Sequence, residues 1–184
     1  MTKEEKRYPI QFDSKGYNEK PKGKEIGGIK IRTQSSEPKL LTLREIANLI
    51  QTGHSFSPGI LEGGCSAIHW TQQQLFPVDV DNEDVNSPIL TIEKALDICK
   101  ECRISPVIYY KSFSHTEEKP KFRLIFAMRK PVEMEERREF LADTFPTLFP
   151  QSDTSCVNAD RIYFGTNKAV SYTHLRAHET DQYL

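Results

Sequence analysis

Cysteine is scarce in this chain, with four in 184 residues: Cys65, Cys99, Cys102 and Cys156. That is too few for the disulfide framework of a small secreted domain, so a reducing compartment is expected. Cys99-x-x-Cys102 has zinc-like spacing, but no second pair completes four ligands. It also falls inside a helical pattern, so these two read as half-buried helix cysteines. Long apolar runs are missing as well. No stretch approaches the roughly 20 residues of a membrane span, and no signal peptide opens the chain. A cytoplasmic protein without membrane partners is therefore expected. Charge of one sign is not in excess: 25 Lys and Arg stand against 26 Asp and Glu, a formal net charge of -1. That excludes a general polyanion binder. Internal repeats are also lacking.

What charge there is sits unevenly. Residues 1–40 carry ten Lys and Arg against six Asp and Glu, and residues 111–131 carry six against two. Local basic excess attracts phosphate even when the total is near zero. The length suits one domain with tails. Residues 1–27 are polar, Lys-rich and Gly-punctuated, and read as a mobile basic arm. Gly28 to Arg32 alternates apolar and basic residues, as a short edge strand does. Thr42-Leu-Arg-Glu45 is a capping box, followed by a helix with Leu43, Ile46, Ala47 and Ile50 on one face and Gly53 at its end.

The pattern then predicts a strand over Gln74–Val80, a helix over Thr91–Cys102 and a strand over Pro106–Tyr110. It continues with a strand over Phe122–Met128, a helix over Val132–Phe145 and a strand over Arg161–Phe164. The fold class expected is α+β: an RRM-like or ferredoxin-like split βαβ sheet beside an additional N-terminal α/β unit. Helices would cover one face and leave the other open for a site. Pro77 inside the first of these strands points to an edge or bulge. The last residues, Ser171 to Leu184, differ in character and look like translated sequencing-adapter DNA. Residues 169–184 are accordingly expected to be non-native and to stand where a further domain was lost. His174 and His178, four apart in that run, only imitate a metal pair.

Three segments carry chemistry. In Leu75-Phe-Pro-Val-Asp79-Val-Asp81, strand alternation sends Val78 and Val80 into a core and points Asp79 and Asp81 together from the opposite face. Two carboxylates so placed repel each other without a cation, and hard divalent ions prefer such oxygen ligands. In Ser112-Phe-Ser-His115 and the return through Lys119, Lys121 and Arg123, a His stands among cations. That suits donation to phosphate better than metal binding. In Asp153-Thr-Ser-Cys-Val-Asn-Ala-Asp160-Arg161, either acid can add a third carboxylate, while Asp160 can equally cap a turn or pair with Arg161. If the strands ending at Asp81 and near His115 ran antiparallel, a strand's length would separate them, at about 3.3 Å per residue.

Together these segments resemble the archaeo-eukaryotic primase superfamily, in particular the primase-polymerase domains of plasmids, phages and integrative elements. The resemblance covers about residues 28 to 168, although Ser112 and Ser114 do not give a strict Ser-x-His with His115. It implies a DNA primase or DNA polymerase activity in mobile-element or phage replication, by template-directed nucleotidyl transfer. Asp79, Asp81 and a third acid, Asp153 in preference to Asp160, would hold two Mg²⁺ or Mn²⁺ ions. One ion would activate a 3′-hydroxyl and the other would stabilise departing pyrophosphate. His115, Lys121 and Arg123, with Arg161, would hold the nucleoside triphosphate. Single-stranded DNA template, primer and NTP or dNTP are the implied partners, and a helicase the implied companion. Two rivals share some of the features. A metal-dependent nucleotide-sugar glycosyltransferase also ends a strand in Asp-x-Asp. A non-catalytic RRM-like module would bind single strands through exposed aromatics such as Tyr109 and Tyr110.

Overall fold

The computed structural model describes residues 5–154 and 157–173. His174, His178 and Cys156 lie outside them. The first element, β1 (Arg7–Gly16), falls within the segment that polar composition assigns to a mobile arm. Tyr8, Ile10 and Phe12 point into a core, as alternation requires, and the intervening Gln11 and Asp13 are buried too. Those polar residues find distant partners. The Gln11 amide donates to the carbonyls of Gln34, Ser36 and Leu61 and accepts from the Leu61 N–H. Asp13 takes a two-pronged bond from Arg32, at 2.7 and 2.8 Å. Buried polar groups are tolerable once paired, so the strand survives a composition that reads as solvated.

Helix α1 (Lys24–Gln34) replaces the edge strand expected over Gly28–Arg32. Its buried side chains Ile29 and Thr33 are four apart, which is helical spacing; five alternating residues were too few to decide the period. Then come β2 (Lys39–Thr42) and α2 (Leu43–Gln51). The capping box is formed. Thr42 Oγ1 accepts from the Glu45 N–H at 3.2 Å, and Glu45 Oε2 accepts from the Thr42 N–H at 2.8 Å. Leu43, Ile46, Ala47 and Ile50 form the buried face. Thr42→Ala is expected to cost about 1 kcal/mol, read as a lower denaturant midpoint at unchanged slope.

Strands β3 (His54–Ser57), β4 (Gly59–Leu61) and β5 (Trp70–Val80) follow. After them come α3 (Ile92–Glu101), β6 (Ile108–Lys111), β7 (Phe122–Val132), α4 (Glu135–Thr147) and β8 (Val170–Tyr172). Among the described residues the strands form two antiparallel sheets, ordered β2-β1-β3 and β4-β5-β7-β6-β8. The fold is therefore mixed α and β. Because β7 lies between β5 and β6 and is antiparallel to both, β5 and β6 run parallel and end at the same edge. The separation feared between Asp81 and the start of the β6–β7 loop does not arise. Pro77 pairs with Ile125 on the β7 side, while β4 stops opposite Gln73, so proline stands where its strand has an open side.

Both faces of the larger sheet are covered. Phe76, Val78, Val80, Phe122, Leu124 and Phe126 pack under α3 and α4, where the rings of Phe126 and Phe145 stack with centroids 4.7 Å apart. On the other side Leu75, Ile108, Tyr110 and Ile125 meet Tyr8, Ile10, Ile46, Ile50 and Phe56. The face expected to be open is thus sealed by the N-terminal unit. Tyr110 is fully buried and Tyr109 packs against the helix-side core, so neither offers a stacking surface for single strands.

The strand expected over Arg161–Phe164 is reduced to an isolated bridge between Tyr163 and Phe56. The carbonyls of Asp160 and Phe164 are taken by side chains, those of Gln34 and of Arg123 and Tyr110, instead of by a ladder. Residues 170–172, inside the run expected to be non-native, pair with β6. Strand addition uses main-chain groups alone, so an exposed sheet edge accepts any extended segment. Cys99 is buried in the helix-side core, which pushes its thiol up to about 11, and Cys102 is exposed at the helix end.

Candidate active site

Side-chain alternation in β5 puts Asp79 and Asp81 opposite Val78 and Val80, on the side facing the N-terminal unit. There the strand ends and the covering unit stops, leaving a cavity of about 150 Å³. Lys20, Asp79, Asp81, Ser112–Ser114, Lys121, Arg123, Asp153, Arg161 and Phe164 line it. Ligand pockets usually run to roughly 300–1,000 Å³. This one is smaller, and charged side chains make up most of its lining.

Asp153 arrives from the segment after α4. Phe149 anchors that segment in the core, and its main chain then runs beside the end of β5: the Asp81 N–H donates to the Gln151 carbonyl and the Asp153 N–H to that of Asp79, at 3.1 and 2.8 Å. Asp160 goes elsewhere, into an ion pair of 2.6 Å with Lys30 on α1. The structure therefore gathers Asp79, Asp81 and Asp153, and leaves Asp160 out.

Each gathered carboxylate already faces a cation. Arg123, opposite Asp79 in the β5–β7 register, donates through Nη2 to Asp79 Oδ2 at 2.9 Å. Its Nη1 donates to the Phe164 carbonyl at 2.7 Å and to Tyr110 Oη at 3.3 Å, and the Tyr110 and Tyr163 rings lie 5.8 and 5.5 Å from its guanidinium carbon. Burial opposes the guanidinium charge, but Asp79 and Tyr110 more than offset it and hold its pKa above the ordinary value. Lys121 Nζ stands 3.8 Å from Asp81, and Arg161 stands 3.9 Å from Asp153.

Asp81 is half-buried, and its carboxyl is held above the usual range by burial first and by repulsion from Asp79 next, against the pull of Lys121 and Arg123. Lys121 is also gripped by Glu83, which bonds Lys119 as well; those two ammonium groups draw the Glu83 carboxyl down to about 2.

His115 stands outside the cavity lining. Its Nδ1 accepts from the Lys121 N–H at 3.1 Å, so the proton belongs on Nε2, which faces Glu117 at 3.3 Å. With both nitrogens engaged, the ring pins the β6–β7 loop. Arg123 does line the cavity, but Asp79, Phe164 and Tyr110 occupy its terminal nitrogens. Lys20 had no signal of its own, since nothing local to it marks an approach to residues 59 or more positions away.

Among the described residues no three His, Cys, Asp or Glu side chains cluster tightly enough to enclose a metal ion. The donor chemistry nonetheless suits a hard divalent ion. All three acids offer oxygen, and Asp79 Oδ1 is buried without a hydrogen-bond partner. An orphaned carboxylate oxygen is costly in the absence of a partner.

No family model and no curated protein matches the sequence. Among solved structures the fold is similar to the AEP domain of the cyanophage S-2L primase-polymerase. That comparison has 14% identity and a TM-score of 0.48, and it covers 98% of this chain and 89% of that one.

Proposed function

We propose that the chain transfers nucleotidyl groups under the direction of a DNA template, as a primase or polymerase. One observation carries the reading: three carboxylates and four cations, Asp79, Asp81 and Asp153 with Lys20, Lys121, Arg123 and Arg161, converge on one cavity at the end of β5. A pure metal site has no use for so many cations, and a pure anion site would be spoiled by the acids. A metal-bound polyphosphate needs both.

Asp79, Asp81 and Asp153 would hold Mg²⁺ or Mn²⁺, which when bound lowers the pKa of an attacking hydroxyl and neutralises charge on the leaving phosphates. Lys121, held by Glu83 at the cavity wall, would pair with phosphate oxygens there. Lys20 and Arg161 flank the same space and set the polyphosphate's direction. Arg123 keeps Asp79 in one rotamer, so that the unpartnered Oδ1 stays aimed and needs no reorganisation during the reaction. His115 holds the loop that carries Ser112 and Ser114 to the rim. The small volume admits the triphosphate and leaves base and template on the outside, where a complementary strand can select the base.

The test is direct. The wild-type chain is expected to extend a primer on a DNA template with dNTP or NTP in Mg²⁺ or Mn²⁺, and to lose all extension in chelator. Consumption of a UDP-sugar without any incorporated nucleotide would replace this reading with glycosyl transfer.

A further inference from the structure

The segment that follows Tyr163 runs under the β6–β7 loop and takes hold of it. Gly165 makes this possible. A Cβ there would stand 2.7 Å from the Ile50 and His54 carbonyl oxygens, so only glycine lets the chain pass that close to the end of α2. The Thr166 N–H then donates to the Ile50 carbonyl at 2.8 Å. From this anchored base, Thr166 Oγ1 donates to the Lys111 carbonyl at 2.8 Å. Lys168 Nζ donates to the Ser112 carbonyl at 2.7 Å and to that of Phe113 at 3.1 Å. Three successive carbonyls at the start of the loop are thus drawn to one side by side chains some 55 residues away.

In a trans peptide the N–H points opposite the C=O, so the amides that follow these carbonyls point away from Lys168. The Ser112 N–H is used by the Lys121 carbonyl and the His115 N–H by that of Ser112. The amides of Phe113 and Ser114 donate to no acceptor among the described residues. Both residues line the cavity, and so does Ser112. Successive free amides in a tight loop form an anion-binding concavity. Carbonyl oxygens turned toward the same space would repel the anion.

We infer that Lys168 is a positioning residue: by holding the Ser112 and Phe113 carbonyls away from the cavity, it shapes the 112–114 loop into a cradle for a phosphate group. The inference rests on the proposed polyphosphate site and adds a residue that never touches the ligand. A side chain with several N–H donors is needed for the task because one group must serve two carbonyls at once. Burial and the neighbouring Lys111 hold the Lys168 pKa below its ordinary value, which is the cost of keeping that group inside the fold.

Inorganic tripolyphosphate with Mg²⁺ is the probe, titrated calorimetrically into the full chain. Wild-type protein is expected to bind it, Lys168→Met to bind about tenfold to a hundredfold more weakly, and Lys168→Arg to recover most of the loss. Amide hydrogen exchange is expected to quicken at residues 112–115 in Lys168→Met while the protection of β5 and β7 stays as in wild type. In primer extension the same variant raises KM for the nucleotide with little change in kcat. Equal tripolyphosphate affinity in wild type and Lys168→Met overturns the inference, as does an unbound wild type. Lys168-dependent binding by a protein that incorporates no nucleotide would sink the proposed reaction and leave the cradle standing.

Discussion

Asp81→Asn is expected to abolish templated incorporation while leaving the protein as stable as the wild type or more so. The activity loss should be on the order of a thousandfold or more, the scale on which removal of a group that manages developing charge is felt. The stability expectation comes from the direction of the Asp81 shift. Burial and Asp79 raise its carboxyl above the ordinary range, so the folded chain binds that proton more readily than the unfolded one. The ionised form therefore opposes folding at pH values above the raised pKa, and the penalty is relieved as pH falls through it. A neutral amide never carries the penalty. A site that trades stability for chemistry behaves this way; a structural ion pair does the reverse. Asp153→Asn is expected to share the activity loss. Asp160→Asn is not, because Asp160 faces Lys30 away from the cavity. Primer extension and thermal unfolding on the three variants decide the matter. Undiminished synthesis by Asp81→Asn would remove the carboxylate from the mechanism, and a loss confined to Asp160→Asn would move the third acid.

Arg123→Met is expected to destabilise the fold by about 3–5 kcal/mol, the usual cost of leaving one member of a buried ion pair alone. Its partner Asp79 has 8% of its side chain exposed and would lose its 2.9 Å counter-ion. The Phe164 carbonyl and Tyr110 hydroxyl lose a donor at the same time. Arg123→Lys should recover only part of the loss, since one ammonium does not reproduce a planar fork that reaches three acceptors. The pair also governs how Asp79 must be tested. Asp79→Asn strands the guanidinium in the same way, so lost activity in that variant mixes chemistry with folding. A cycle of Asp79→Asn, Arg123→Met and the double variant, followed by denaturant unfolding, isolates the coupling. A folded, fully stable Arg123→Met whose only defect is a raised nucleotide KM would return Arg123 to the phosphate-binding role that its sequence pattern implies.

The shared direction of Asp79 and Asp81 was legible because strand alternation is a local rule. Val78 and Val80 are apolar and Asp79 and Asp81 are not, and a pleated strand can satisfy that in one way only. Asp153, not Asp160, lies at the cavity, at the end of a segment that Phe149 anchors in the core. The hydrogen-bond partners of Arg123 and His115 were not legible. A cation near carboxylates reads as a phosphate ligand until the register places Asp79 directly across from it, and a His beside lysines reads as a donor until its Nδ1 is seen to accept from a backbone amide.

What the sequence by itself determined is what depends on neighbours within one helical turn or a few strand residues: the Thr42–Glu45 cap, the buried face of α2, and the shared direction of Asp79 and Asp81. Tertiary structure alone decided what depends on pairing across long stretches of chain. It made β1 a buried strand, because Gln11 and Asp13 meet partners that no window around them contains. It inserted β7 between β5 and β6, so that parallel strands bring Asp81 and the Ser112 loop to one edge. It closed the second face of the sheet and left the cavity at the end of β5, where the polar groups of both units meet. Local periodicity is set by the backbone's own geometry, whereas hydrogen-bond and charge partners are set by which surfaces the whole chain can bury together.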